Sequence, residues 1–197
     1  MDLNALVKYI RNTGCSLRLY NRDELKTSKC VGTFDLTKSG QPLICLATKG
    51  NSKLELCRIL LHEYAHFLQW HEGFLSQLTT PHDDGWDILD RWLAGEKFTP
   101  DDIKIGRISV LLIEYDAEMR TIELANQLNV DIGSQQDYLN AAYAYLTFLK
   151  WVFLKRHWGF CPGPEHFLNS PMLYPCQVLC EITQEEIKII DSVQEMI

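Results

Sequence analysis

The sequence predicts an α+β fold, with a small N-terminal sheet of about three strands and a mainly helical remainder. Two observations predict it. Short runs of alternating or apolar residues between turn-forming residues occupy positions 16–48. Beyond Gly50, apolar residues recur at helical spacing behind recognisable N-terminal caps.

The elements follow in order. Residues 2–12 read as an amphipathic helix ended near Gly14. Ser16-Leu17-Arg18-Leu19-Tyr20 alternates and reads as a strand, and Asn21–Lys29 is polar and turn-like. Cys30–Leu36 and Pro42–Thr48 flank Lys38-Ser39-Gly40-Gln41, a hairpin pattern. The sheet is expected to be antiparallel or mixed. Ser52 and Glu55 form a Ser-x-x-Glu capping box. Leu54, Leu56, Ile59, Leu60, Leu61, Phe67 and Leu68 then mark a largely buried helix, with Gly73 as its stop. Residues 72–98 hold a loop and a short helix around Trp86–Ala94, read as an ordinary packed helix in preference to a lid. Thr99-Pro100-Asp101-Asp102 is a helix start, with a Thr cap, Pro at the first position and acids at the positive end of the dipole. That helix runs to about Leu128, with Gly106 as a point of breakage or bending. Ser134 caps a helix over residues 135–156. Residues 157–182 are rich in Pro and Gly and read as an irregular loop, and Thr183-Gln184-Glu185-Glu186 opens a C-terminal helix. With no repeats, low-complexity tracts or linker, a single domain over 1–197 is expected.

Composition excludes several classes. Apolar content of 46% with 23% charged residues reads as soluble and globular. The net charge of −7 carries no overall footprint for nucleic acid. No apolar run approaches the ~20 residues of a membrane span. Met1–Lys8 lacks a basic region ahead of an apolar one, so no signal peptide is expected. The seven cysteines show no Cys-x-x-Cys pair. Cys45 and Cys57 read as core thiols, Cys176 and Cys180 as a weak ligand pair, and a reducing cytosol as the fitting compartment.

The chemistry concentrates in Leu60-Leu61-His62-Glu63-Tyr64-Ala65-His66. Positions i and i+4 share a helix face, so His62 and His66 can direct two imidazoles at one point. That supplies half the ligands of a tetrahedral Zn²⁺. Glu63 lies about 100° further round the helix. It can reach a water activated by the ion without ligating the ion itself. Burying two histidines and a glutamate without a common partner would be costly.

Such a site needs a third protein ligand. A third histidine at metzincin spacing is absent. Glu114 and Glu118, in Glu114-Tyr115-Asp116-Ala117-Glu118, stand at i and i+4 behind the apolar Ile108–Ile113 stretch. One can ligate zinc while the other orients a ligand histidine. Glu114 is favoured as the ligand, with Glu118 as the alternative. Asp116 is about 200° from Glu114 and points elsewhere.

His-Glu-x-x-His followed by Glu-x-(Asp/Glu)-Ala-(Asp/Asn/Glu) on a later helix resembles the gluzincin peptidases. The second element is similar to that of the prenyl-protein endopeptidases and the ImmA/IrrE family. The resemblance implies a zincin-like, minigluzincin fold, with Glu114 as zinc ligand and Glu118 in support. This chain departs from the pattern in having Glu at 118, where Asp or Asn is usual. Residues 30–155 also resemble, more loosely, small metallopeptidase-like proteins of tailed bacteriophages. There Val31-Gly32-Thr33-Phe34-Asp35 matches a hairpin, His62–Trp70 matches a His-Glu-x-x-His-Phe-x-Gln-Trp helix, and Asn140–Tyr145 an aromatic helix.

The leading expectation is a zinc-dependent metalloendopeptidase with Glu63 as general base, acting on a peptide or protein substrate. Pro42–Thr48, the strand before the motif helix, is expected at the sheet edge, where an extended peptide could add to it. An oxyanion donor is also needed. Tyr143 and Tyr145 are the named candidates, with His71, His157, His166 and Arg120 behind them. The alternatives are a non-catalytic zincin-fold binding or virion-structural module, and a zinc hydrolase acting on another bond. A phage or host protein partner is conceivable, in the host cytosol or on the virion. A DNA-bound antirepressor role ranks lower, because no helix-turn-helix pattern stands out.

Overall fold

The structure is a computed structural model and describes residues 1–26, 30–74 and 85–158. Among these it is α+β, with five helices and a three-stranded mixed sheet. No helix among the described residues is long and apolar enough to cross a membrane. The predicted C-terminal helix, the Cys176/Cys180 pair and His166 lie outside the described residues.

Two compact units emerge, one from Met1–Phe74 with Ala117–Gln135, the other from described residues within Leu75–Asp116 and Gln136–Ile197. The first begins with helix α1 (Leu3–Asn12), capped by the Asp2 carboxylate, which accepts from the Ala5 amide at 2.8 Å. Leu6, Val7 and Ile10 form its buried face. Strands β1 (Ser16–Tyr20), β2 (Gly32–Leu36) and β3 (Pro42–Ala47) follow. Thr37 and Gly40 close the β2–β3 hairpin through bonds from Thr37 N–H to Gln41 O and Gly40 N–H to Thr37 O.

One expectation is overturned here. Strand β3 lies at the centre of the sheet, not at its edge: the order is β1-β3-β2, with β1 parallel and β2 antiparallel to β3. Both edges of β3 are therefore already paired. The physical reason lies in its own residues. Leu43-Ile44-Cys45-Leu46-Ala47 is an unbroken apolar run, suited to burial on two sides, with Ile44, Leu46 and Ala47 fully buried. Strand β2 carries Gly32, Thr33 and Asp35 and takes the edge.

Helix α2 (Lys53–His71) starts at the predicted capping box. The Ser52 hydroxyl accepts from the Glu55 amide at 3.2 Å, and the Glu55 carboxylate accepts from the Ser52 amide at 2.7 Å. It stops at Gly73, which takes a positive φ of 70°. Arg58 on α2 donates to the Ile132 carbonyl at 2.7 Å, tying the helix to the segment after α4 (Pro100–Leu128).

The second unit packs α3 (Gly85–Leu93), the first part of α4 and α5 (Gln135–Lys155) around Leu89, Val110, Leu111, Leu149 and Trp151. Helix α3 is an ordinary packed helix, with Leu89 fully buried and Trp86, Trp92 and Leu93 against the same core. Gly106 does not break α4, which runs from Pro100 to Leu128. Its role is close packing. A Cβ there would lie 2.6 Å from Ile88 Cγ2, and one at Gly85 would lie 2.8 Å from Ser109 Cβ. The two glycines let α3 and α4 cross in contact. Cys57 is buried as expected, whereas Cys45 is only half-buried.

Candidate metal centre

Helix α2 sets the first two residues of the site. Leu60, Leu61 and Ala65 are fully buried and fix which face turns inward. That leaves His62 and His66, one turn apart, half-buried side by side. Their Nε2 atoms are 3.1 Å apart, and their rings meet edge to face at 4.7 Å. The His66 Nδ1 lies 2.8 Å from Gln69 Oε1.

Helix α4 supplies the carboxylates. Glu114 and Glu118 are 3% and 7% exposed, so neither belongs to a solvated acidic face. They stand one turn apart on one continuous helix. His62, His66 and Glu114 each offer a ligand atom, and these atoms lie within 4.8 Å of one another. Glu118 takes a different place: its Oε1 is 3.4 Å from His62 Nδ1, the ring nitrogen turned away from His66. Glu114 thus stands with the converging ligand atoms and Glu118 behind a histidine.

The donor set fits a divalent ion. Two imidazole nitrogens and a carboxylate oxygen are the ligand types of a catalytic zinc site that keeps one position open. Ligands about 2.0–2.1 Å from a tetrahedral centre lie roughly 3.3 Å apart, close to the histidine spacing found. Glu118 can only accept a hydrogen bond when ionised. A proton on His62 Nδ1 would face it and would leave the Nε2 lone pair turned toward the ligand cluster.

Glu63 is 7% exposed and occupies a neighbouring face of α2. It lies against strand β2: a Cβ at Gly32 would come 3.0 Å from Glu63 Oε1 and 2.4 Å from Ile59 Cγ2. The carboxylate is therefore held beside the sheet edge, and the edge strand can lie this close because residue 32 has no side chain. Gly32 received no role from the sequence beyond its place in a hairpin pattern.

The remaining candidates divide. Tyr143 and Tyr145 are half-buried on α5, packed at the margin of the second unit's core. Burial, with Tyr115 nearby, pushes the Tyr143 hydroxyl above its ordinary value of 10.0. Arg120 is engaged elsewhere, donating to Glu72 at 2.7 Å and lying over the Phe74 ring. His71 is exposed and meets the Phe67 ring, away from the histidine pair. His157 is exposed beyond the end of α5. The sequence reading gave Gln69 no role of its own and did not pair Arg120 with Glu72. The signal for Gln69 was a wholly polar side chain three residues after a ligand histidine, inside an otherwise apolar run.

No protein-family model, curated protein or solved structure matches the chain.

Proposed function

We propose that the chain is a zinc-dependent metalloendopeptidase of gluzincin type, working in a reducing cytosol on a peptide or protein substrate. The observation that carries the reading is the convergence of His62, His66 and Glu114 with the buried Glu63 on the next face of the same helix.

His62, His66 and Glu114 would hold the ion, and Glu118 would orient His62. Zinc in such a site polarises a carbonyl and makes water acidic enough to lose a proton near neutral pH. Glu63 would accept a proton from the attacking water and pass it to the leaving nitrogen as the peptide bond breaks. Its confinement between α2 and β2 keeps the carboxylate in one place through both transfers. The substrate strand lies along β2, whose outer edge carries no strand among the described residues. Backbone hydrogen bonds to that edge would hold an extended peptide. Tyr143 or Tyr145 remains the proposed donor to the developing oxyanion.

The test has two stages. Mass spectrometry of the purified protein should find about one zinc per chain, lost in His66→Ala. A proteome-derived peptide library should then be cut by the unaltered protein and left intact by Glu63→Gln, which keeps its zinc. Folded protein without metal in either form would overturn the reading and bring forward a non-catalytic binding module. Cleavage unaffected by Glu63→Gln would overturn the mechanism.

A further inference from the structure

We infer that Gln69 is the residue that positions His66 for the metal, a neutral counterpart to Glu118 behind His62. The inference rests on the metal reading proposed above.

Gln69 is 0% exposed, and it sits in the middle of an otherwise apolar segment, Phe67-Leu68-Gln69-Trp70. A buried amide is retained only where its polar atoms are used. Its Oε1 lies 2.8 Å from His66 Nδ1, at the short side of the usual N–H···O range. The two residues are i and i+3 on α2, so the helix itself brings them together. A carbonyl oxygen there holds the proton on His66 Nδ1 and directs the Nε2 lone pair at the point His62 Nε2 also faces, 3.1 Å away. Two lone pairs that close repel one another, and a cation between them removes the repulsion. The two histidines thus have partners of unlike charge, a carboxylate for His62 and an amide for His66.

The choice of an amide has a reason in the charge of the site. Glu63, Glu114 and Glu118 are all buried here. A further carboxylate at 69 would add a fourth negative charge that must be desolvated. Gln69 supplies the acceptor and the direction without that charge.

The experiment compares zinc affinity, by competition with a chromophoric chelator, in the unaltered protein, Gln69→Leu, Gln69→Glu and His66→Ala. Gln69→Leu keeps the approximate shape and loses the acceptor, and should bind zinc roughly 10–100-fold more weakly. Gln69→Glu restores an acceptor and should recover affinity to within about threefold of the unaltered protein. The visible spectrum of the cobalt-loaded proteins should shift in Gln69→Leu and not in Gln69→Glu. Equal zinc affinity in Gln69→Leu and the unaltered protein, with metal lost in His66→Ala, would overturn this inference and leave the metal reading standing. Zinc absent from the unaltered protein would overturn both. If Gln69→Leu does not fold, nitrogen-15 spectra of histidine-labelled, zinc-loaded unaltered protein decide. His66 should carry its proton on Nδ1, and a proton on Nε2 would overturn the inference.

Discussion

At Gly32 a single methyl group decides whether strand β2 can rest on helix α2. An added Cβ would sit 2.4 Å from Ile59 Cγ2 and 3.0 Å from the Glu63 carboxylate, so one of the three residues must move. Overpacking of this kind costs about 1–3 kcal/mol, so Gly32→Ala should lower the urea midpoint accordingly. Ile59→Ala opens the space that the new methyl would fill. In the double variant the loss should therefore be smaller than the sum of the two single losses. Strict additivity would mean that the two residues do not press on each other. The two glutamates offer a second test at this scale. With Glu114 as ligand and Glu118 behind His62, Glu118→Gln should weaken zinc binding by roughly 10–100-fold, and Glu114→Gln by more. The reverse order, measured by the same chelator competition, would exchange their roles.

Among the elements, the Glu72–Arg120 pair joins the end of α2 to α4 two residues past Glu118, so it bears on how the two ligand-carrying helices stay aligned. Both side chains are partly exposed, which limits the pair to under about 1 kcal/mol of coupling in a double-mutant cycle. That coupling should shrink as salt is raised, and a coupling unaffected by salt would point to packing against Phe74 instead. At this scale the sequence was most readable where the determinants are local. The Ser52–Glu55 box, the Thr99-Pro100-Asp101-Asp102 start and the i, i+4 spacings of His62/His66 and Glu114/Glu118 each depend on residues within one turn. Strand order was harder to read, because β1 reaches β3 across the intervening β2, and alternation does not name a partner. A signal was nonetheless present: the unbroken apolar run of β3 argues for an interior strand. Gly106 misled for a related reason, since its lack of a side chain serves contact with Ile88 inside an unbroken helix. Gln69 needed the structure, because a polar residue in an apolar run names no partner by itself.

For the whole molecule, pH and metal both act through the difference between folded and unfolded chains. Burial pushes the Tyr64 hydroxyl from 10.0 up to about 12, and the Cys15 thiol from 9.0 up to about 11. The folded chain keeps these protons where the unfolded chain releases them. The stability they contribute is complete below the unfolded values and is lost as pH rises through the folded ones. Urea midpoints should accordingly fall between pH 9 and 12, less steeply in Tyr64→Phe, which loses the Tyr64 part and keeps that of Cys15. An equal slope in both proteins would remove Tyr64 from the account. Zinc should act in the opposite sense. An ion bound by the folded chain alone adds about 2.7 kcal/mol at a hundredfold excess over its Kd. For a chain of this length that raises Tm by roughly 5–10 °C. The unfolded chain also exposes seven cysteines and six histidines that hold zinc weakly, so the lower part of that range is expected. A chelator should reverse the gain in the unaltered protein and leave Tm unchanged in His66→Ala. An equal chelator effect in the two proteins would place the stabilising zinc away from His66.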